Sequence, residues 1–200
     1  MYYGYGIYLY SSSNNTFHSI ILQENDYYDL YITALSVSDC NNFFQNATGS
    51  GDRPIEYYNY SVDLQNKTLS ELILCNADNS NITNITIIGS STKRNNMLYV
   101  CRTENITVSK INSSYNRVGV YLSSSNSTTL QNITTNSNYE GIRLSSSSSN
   151  TLQNITANSN NYGIRLSSSD NNTLQNITSN YNNYYGIYLL FSSSSNTFQN

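Results

Sequence analysis

A strict internal repeat constrains this chain more than any other feature of its sequence. The segment NTLQNIT occupies residues 150–156 and returns at residues 172–178. The glycines of a Gly-Ile/Val-x-Leu motif recur at nearly constant intervals, at Gly119, Gly141, Gly163 and Gly186. A series of isoleucines keeps the same interval, at Ile111, Ile133, Ile155 and Ile177. A period of about 22 residues, kept this closely, is typical of a solenoid in which each repeat packs on the next.

The pieces inside each repeat predict short β-strands. Apolar and polar residues alternate in Gly141–Leu144, which is the period of a strand. The intervening runs of Ser and Asn are poor in helix interiors and favourable in turns. One repeat of this length and composition does not hold two helices, and it fits one coil of a parallel β-helix. About nine such coils fit in the chain.

In a parallel coil, equivalent positions of successive rungs stack about 4.8 Å apart. This predicts an inward apolar column, in which the residues of one rung lie on those of the next. The expected pairs are Ile142 on Ile164, Leu144 on Leu166, Leu152 on Leu174 and Ile155 on Ile177. Asn132, Asn154 and Asn176 share one phase of the repeat, so we expect them to form a ladder of side-chain amides.

The repeat also defines the organisation of the chain. We predict a single β-helix domain over residues 1–200. Residues 81–200 form its regular rungs, and residues 22–80 form irregular rungs or loops within it. The irregular part contains most of the acidic residues and the only proline.

Composition excludes several classes of protein. Asn and Ser make up about a third of the chain, 34 of each, but the apolar residues keep a fixed register that a disordered segment would lack. A net charge of −3, with nine basic residues that form no run, argues against nucleic-acid binding. We expect no membrane span, because no apolar stretch is long enough. The first residues lack a signal peptide, so the sequence leaves open an internal protein or a piece of a longer one.

The three cysteines do not follow a metal-binding pattern. Cys40, Cys75 and Cys101 form no CxxC motif, and His18 is the only histidine. We therefore expect no metal site and no cofactor. A Cys40–Cys75 disulfide is one alternative, and buried free thiols are the favoured one, because cysteine often serves as a small core residue.

Several segments resemble a known repeat family. "YGIRLSSSDNNTLQNIT" and "NNYYGIYLLFSSSSNTFQN" resemble the NosD-like, or CASH-type, β-helix repeats of archaeal and bacterial surface proteins. The segment "RPIEYYNYSVDLQ…LILCNADNSNITNITI", residues 53–87, is similar to the interrupted rung of those proteins. The resemblance covers nearly the whole chain. It implies an all-β fold, a right-handed single-stranded parallel β-helix (solenoid) with rungs of roughly 22 residues.

The resemblance implies no single activity. Such repeats serve copper-site maturation factors, polysaccharide-acting enzymes and structural surface proteins alike. The copper role finds little support in this sequence, because copper prefers His, Met or Cys ligands. Those residues, His18, Met1, Met97 and the three cysteines, are scattered along the chain.

One outward column of the repeat is the candidate binding site. Tyr99, Tyr121, Arg143, Arg165 and Tyr188 occupy the same outward phase on consecutive rungs, and we call them the Tyr/Arg column. Aromatic faces and guanidinium planes suit sugar rings and their acidic groups. Two adjacent arginines repel unless an anion or an aromatic face intervenes. The column therefore favours an acidic surface polysaccharide as ligand, and a solvated face of good strand formers is the alternative.

We accordingly predict a non-enzymatic structural or adhesive protein of the cell surface or extracellular space. Thirteen Asn-x-Ser/Thr sequences slightly favour a glycosylated exterior protein. Both ends of the chain fall partway through the pattern, which predicts either end-to-end self-association or a longer parent chain. The alternative is a polysaccharide lyase or hydrolase. Its carboxylates would come from two groups in the irregular part: Glu24, Asp26 and Asp29, or Asp52 and Glu56 with Arg53.

Overall fold

A computed structural model describes residues 4–200 as about nine turns of a parallel β-solenoid. The strands are β1 (Tyr5–Tyr10), β2 (Thr16–His18), β3 (Tyr28–Thr33), β4 (Phe43–Gln45), β5 (Ala47–Gly49), β6 (Arg53–Tyr58), β7 (Asp63–Leu69), β8 (Glu71–Cys75), β9 (Asn81–Ile88), β10 (Leu98–Cys101), β11 (Thr107–Ser114), β12 (Val118–Ser123), β13 (Thr129–Asn136), β14 (Glu140–Ser145), β15 (Thr151–Thr156), β16 (Tyr162–Ser167), β17 (Thr173–Thr178), β18 (Tyr185–Leu190) and β19 (Thr197–Gln199). Two short 3₁₀ helices cover Val37–Cys40 and Ser50–Asp52. The predicted all-β solenoid is confirmed.

Two long sheets run the length of the solenoid. The first has eight strands in the order β18-β16-β14-β12-β10-β8-β6-β5, and the second has seven in the order β19-β17-β15-β13-β11-β9-β7. Neighbouring strands are parallel, except that β5 pairs antiparallel with β6. From β6 onward, each turn of the chain therefore contributes one strand to each of these two sheets.

The interior contains the apolar columns that the repeat predicts. Ile142 lies opposite Ile164 and Leu144 opposite Leu166, and all four side chains are fully buried. The same register joins Leu152 to Leu174 and Ile155 to Ile177 in the other sheet. Full burial of such a side chain stabilises the fold by about 1.5–3 kcal/mol. Because the columns are continuous, each added rung extends one core.

Asparagine ladders form at two places in the repeat, one within the strands of the second sheet and one in the turns that follow them. The predicted exposed ladder is present, because Asn154 donates to Asn132 at 3.0 Å and Asn176 donates to Asn154 at 3.1 Å. A second, buried ladder was not predicted. In it the Asn138 backbone N–H donates to the Asn160 side chain at 2.9 Å. The repeat thus provides polar as well as apolar stacking.

Residues 4–45 form a separate layer on the outside of the first sheet, which we call the N-terminal layer. Its strands pair as β1 with β3 and β2 with β4. Leu30 and Ile32 on β3 are buried in an apolar cluster with Ile73 and Tyr99 of the sheet. The Tyr31 ring stacks on Tyr99 with 5.8 Å between centroids. One part of the sheet is therefore covered on both faces.

A disulfide links Cys40 of this layer to Cys75 on β8. The preferred alternative of three free thiols is therefore wrong for these two cysteines. It holds for Cys101, which is free and buried. Residues 4–200 include no helix long and apolar enough to cross a membrane.

Candidate functional site

The strand register assembles the Tyr/Arg column on the outer face of the first sheet. Tyr99 on β10 lies beside Tyr121 on β12, followed by Arg143 on β14, Arg165 on β16 and Tyr188 on β18. The five residues thus occupy neighbouring strands in the predicted order.

The N-terminal layer divides this column. Tyr99 and Tyr121 are only 3% and 6% exposed, because the layer packs over them. The expectation that they form part of an open face is wrong. Arg143 and Arg165 lie beyond the edge of the layer and remain partly exposed.

A groove of about 500 Å³ lies at this edge, within the range of small-molecule sites. One wall is formed by tyrosines of the N-terminal layer: Tyr5, Tyr27, Tyr28 and Tyr31. The first sheet and the turns that lead into it provide the other side, with these lining residues among others: Arg117, Tyr139, Glu140, Arg143, Tyr162, Arg165 and Tyr188. The groove therefore combines three guanidinium groups with many aromatic rings.

Glu140 lies between the two arginines of the column. Its Oε1 accepts a 2.7 Å hydrogen bond from Arg165 Nη1, and its Oε2 lies 3.8 Å from Arg143 Nε. The Arg143 guanidinium also lies over the Tyr121 ring, with its carbon atom 4.7 Å from the ring centroid. The anion that the adjacent arginines require is thus supplied by the protein itself.

Arg117 is held between two aromatic faces. Its guanidinium carbon lies 4.2 Å from the Tyr27 ring centroid and 4.1 Å from that of Tyr139. One of its nitrogens also donates to the Tyr27 hydroxyl at 2.8 Å. Such stacking fixes the plane of the guanidinium, so this arginine is preorganised in the lining of the groove.

Several polar atoms of the groove lack a hydrogen-bond partner within the described residues. They are Glu140 Oε2, Arg143 Nε and Arg165 Nε, and all three are buried atoms. Buried polar groups are usually paired, and an unpaired one in a native structure calls for an explanation. Arg143 Nε and Glu140 Oε2 face each other at 3.8 Å, so these two atoms form an ion pair just beyond hydrogen-bond distance.

The buried phenols of the wall remain protonated. Burial raises the pKa of Tyr28 and of Tyr31 well above the ordinary value of a tyrosine. Both hydroxyls therefore stay neutral at physiological pH and add no negative charge opposite the arginines.

Sequence reasoning missed Glu140, Arg117 and the tyrosine wall. A signal existed for Glu140, which shares its phase with Tyr162 one repeat later. This second column runs beside the Tyr/Arg column. The wall had no such signal, because it comes from residues 4–45, outside the regular repeat.

The two sets of acidic residues that were candidates for the active site of a polysaccharide lyase or hydrolase lie outside the groove. Asp29 is buried, and its carboxylate accepts hydrogen bonds from the Ser50 backbone and the Asn96 amide at 2.8 and 2.7 Å. Glu56 pairs with Lys67 at 2.6 Å. The other members also bond to neighbouring groups: Glu24, Asp26, Asp52 and Arg53. All six side chains thus bond to neighbouring groups of the protein.

A second cavity of about 480 Å³ lies between β4 and β6. Its aromatic lining includes Phe43, Phe44, Tyr58 and Tyr60. Among the described residues that line it, Glu56 is the only charged one. This cavity therefore offers no cation to an acidic ligand.

Together, the stacked strands and the lateral groove define a parallel β-solenoid repeat protein with a candidate binding site on its outer face. The family model described as "Periplasmic copper-binding protein (NosD)" matches residues 58–200. The chain therefore belongs to the NosD family. A search of curated proteins and a search of solved structures each found no match.

The family description raises the question of a copper site. The structure brings Cys40, Cys75 and Cys101 together, with their sulfurs within 4.8 Å of one another, so the expectation of scattered cysteines is wrong. Two of these sulfurs are joined in the disulfide and cannot act as thiolate ligands. His18 instead pairs with Gln45 at 3.0 Å on the surface. The donor set in this form does not fit copper, and Met1 lies outside the described residues.

Proposed function

We propose that this protein is a non-enzymatic β-helix protein of the periplasm or cell surface that binds acidic polysaccharide in the groove. One observation carries the proposal. Arg117, Arg143 and Arg165 meet one carboxylate and a wall of tyrosines in a single concavity. The family and the fold fit a periplasmic or surface location.

The charge of the groove supports an anionic ligand. Among the described lining residues, three arginines face the single carboxylate of Glu140, which leaves two positive charges in excess. Guanidinium groups bind carboxylate and sulfate through paired N–H donors. The side chains of Arg143 and Arg165 are 29% and 23% exposed, so part of each remains open to such contacts.

The aromatic rings support a sugar rather than a simple anion. Tyr162, Tyr185 and Tyr188 form a stacked group, with 4.7 Å between the centroids of the last two. Ring faces pack against apolar surface while the hydroxyls hydrogen-bond. Sugars present both kinds of surface. The Tyr/Arg column crosses neighbouring strands along the axis of the solenoid, and such an extended arrangement suits a polymer.

The test is affinity electrophoresis in gels that contain polygalacturonate, with a neutral glucan gel for reference. The test variant replaces all three charged residues of this cluster at once: Glu140→Gln, Arg143→Gln and Arg165→Gln. Removing only the arginines would leave Glu140 as a buried unpaired charge, which is strongly destabilising. The triple variant lowers the net charge by one, so Lys110→Gln, at an exposed site outside the groove, is its charge-matched control.

We expect polygalacturonate to retard the wild-type protein and the Lys110→Gln variant equally. Charge-assisted hydrogen bonds contribute about 1.5–3 kcal/mol each, so the triple variant should bind at least tenfold more weakly. Retardation should also fall as salt is added. Equal retardation of the folded triple variant, or retardation by neutral glucan alone, would remove acidic polysaccharide as the ligand.

A further inference from the structure

The three cysteines form a closed cluster in the apolar contact between the sheet and the N-terminal layer. Their sulfurs lie within 4.8 Å of one another, and all three residues are buried. Cys40 and Cys75 form the disulfide, with 5.3 Å between their Cα atoms. Cys101 is the free thiol.

The strand register makes Cys101 an alternative partner for Cys75. The two residues lie side by side on the parallel strands β8 and β10, and neighbouring strands are about 4.8 Å apart. Disulfides usually form between Cα atoms about 4.4–6.8 Å apart. Cys75 is therefore placed to bond with either neighbour.

We propose that Cys40, Cys75 and Cys101 form an intramolecular thiol–disulfide exchange site. The Cys101 thiolate attacks Sγ of Cys75, and a new Cys75–Cys101 bond forms as the Cys40–Cys75 bond breaks. The electron pair of the broken bond leaves on Cys40, which takes up the proton that Cys101 released. The protein keeps one disulfide and one thiol, so the step requires no external oxidant or reductant.

The exchange would change how the N-terminal layer is attached. In the form described, Cys40 is the covalent link between this layer and β8. After exchange, noncovalent contacts would hold this segment, such as the 2.6 Å bond from the Tyr57 hydroxyl to the Cys40 carbonyl and the 2.6 Å bond from Arg102 Nε to the Ala34 carbonyl. The layer provides one wall of the groove, but the exchange itself does not depend on what the groove binds.

The surroundings of Cys101 determine the rate of the exchange reaction. Burial raises the pKa of its thiol to about 12, although a hydrogen bond with Tyr99 and the charge of Arg102 act in the opposite direction. Tyr57 also faces this sulfur from β6. Because the thiolate is the attacking species, exchange should be slow at neutral pH and speed up about tenfold per pH unit.

The first test maps disulfides in the wild-type protein. Samples held at pH 7 and pH 9 are quenched in acid, denatured, alkylated with a maleimide and digested with trypsin. Cleavage after Lys67, Arg94 and Arg102 separates the three cysteines into different peptides. We expect a Cys75–Cys101 peptide pair with alkylated Cys40, forming about a hundredfold faster at pH 9. The variant Cys101→Ser is the control and should keep only Cys40–Cys75.

A second variant tests the case in which the equilibrium favours the Cys40–Cys75 disulfide so strongly that the Cys75–Cys101 form escapes detection. Cys40→Ser removes the competing partner and, when purified in air as the wild type is, should contain a Cys75–Cys101 disulfide. Circular dichroism establishes that the variant is folded. Two free thiols in the folded variant would overturn the proposal. Should the variant not fold, the wild-type map decides, and the absence of any Cys75–Cys101 pair at pH 9 would overturn it.

Discussion

Replacing Asn160 with alanine removes one step of the buried amide ladder. Its Oδ1 accepts a 2.9 Å hydrogen bond from the Asn138 backbone N–H, and its Nδ2 donates to the Thr135 carbonyl at 2.9 Å. The Asn160 side chain has no exposed surface, so water cannot replace it without a rearrangement. Two buried backbone groups would lose their partners.

The magnitude follows from those two groups. A buried donor or acceptor left unpaired costs about 1–3 kcal/mol. The substitution should therefore lower the free energy of unfolding by about 2–6 kcal/mol. Urea denaturation followed by circular dichroism measures this as a shift of the midpoint at unchanged slope.

Asn154→Gly is the matched control, because it removes a step of the exposed ladder in the same rung. Its two amide bonds, to Asn132 and from Asn176, are exposed to solvent, so water can take their place. Asn154 has φ of 55°, a conformation that glycine adopts without strain. We expect a loss below about 1 kcal/mol. Burial, and not the ladder bond itself, should set the loss in the free energy of unfolding. Equal losses for the two variants would refute this.

Two further predictions concern a glycine and a buried acid. A Cβ at Gly163 would lie 2.0 Å from Ser179 Oγ and 2.4 Å from the Gly186 carbonyl, so Gly163→Ala should cost about 1–3 kcal/mol. Gly186→Ala, with its nearest contact at 3.0 Å, should cost less, and thermal unfolding compares them. Burial, with the nearby charge of Asp29, raises the pKa of Glu71. Its contribution to stability should be complete below the unfolded pKa of about 4.5 and decrease as pH rises above it. As pH rises from 4.5 to 7, the free energy of unfolding of the wild type should therefore fall relative to that of Glu71→Gln. A difference that stays constant over this range would contradict the prediction.

The regular rungs could be predicted because one short pattern fixes them. The inward position of Ile142 and Leu144 follows from alternation, and the constant spacing of the repeat fixes what lies above and below. The same reasoning predicted the Asn132 ladder. It could also have found the buried ladder through Asn138 and Asn160, which share a phase, but the abundance of Asn in the turns concealed that signal.

The contacts of the N-terminal layer could not be predicted in this way. Tyr31 stacks on Tyr99, which lies far from it in the sequence, and no repeat relates the two. The cysteine cluster was missed for a similar reason. Cys75 and Cys101 are neighbours in the sheet, but their separation in the sequence exceeds the regular period because the intervening turn is longer than the regular one.

The groove exists because a regular structure meets an irregular one. The repeat places Arg143 and Arg165 side by side on a sheet face, and a sheet face alone is too shallow to enclose a ligand. The N-terminal layer covers Tyr99 and Tyr121 and stops before the arginines. Its edge turns the open face into a concavity with aromatic rings on one side and guanidinium groups on the other. The cations come from the repeat, whereas the wall comes from the segment that departs from it, so recognition at this site would require both parts of the chain.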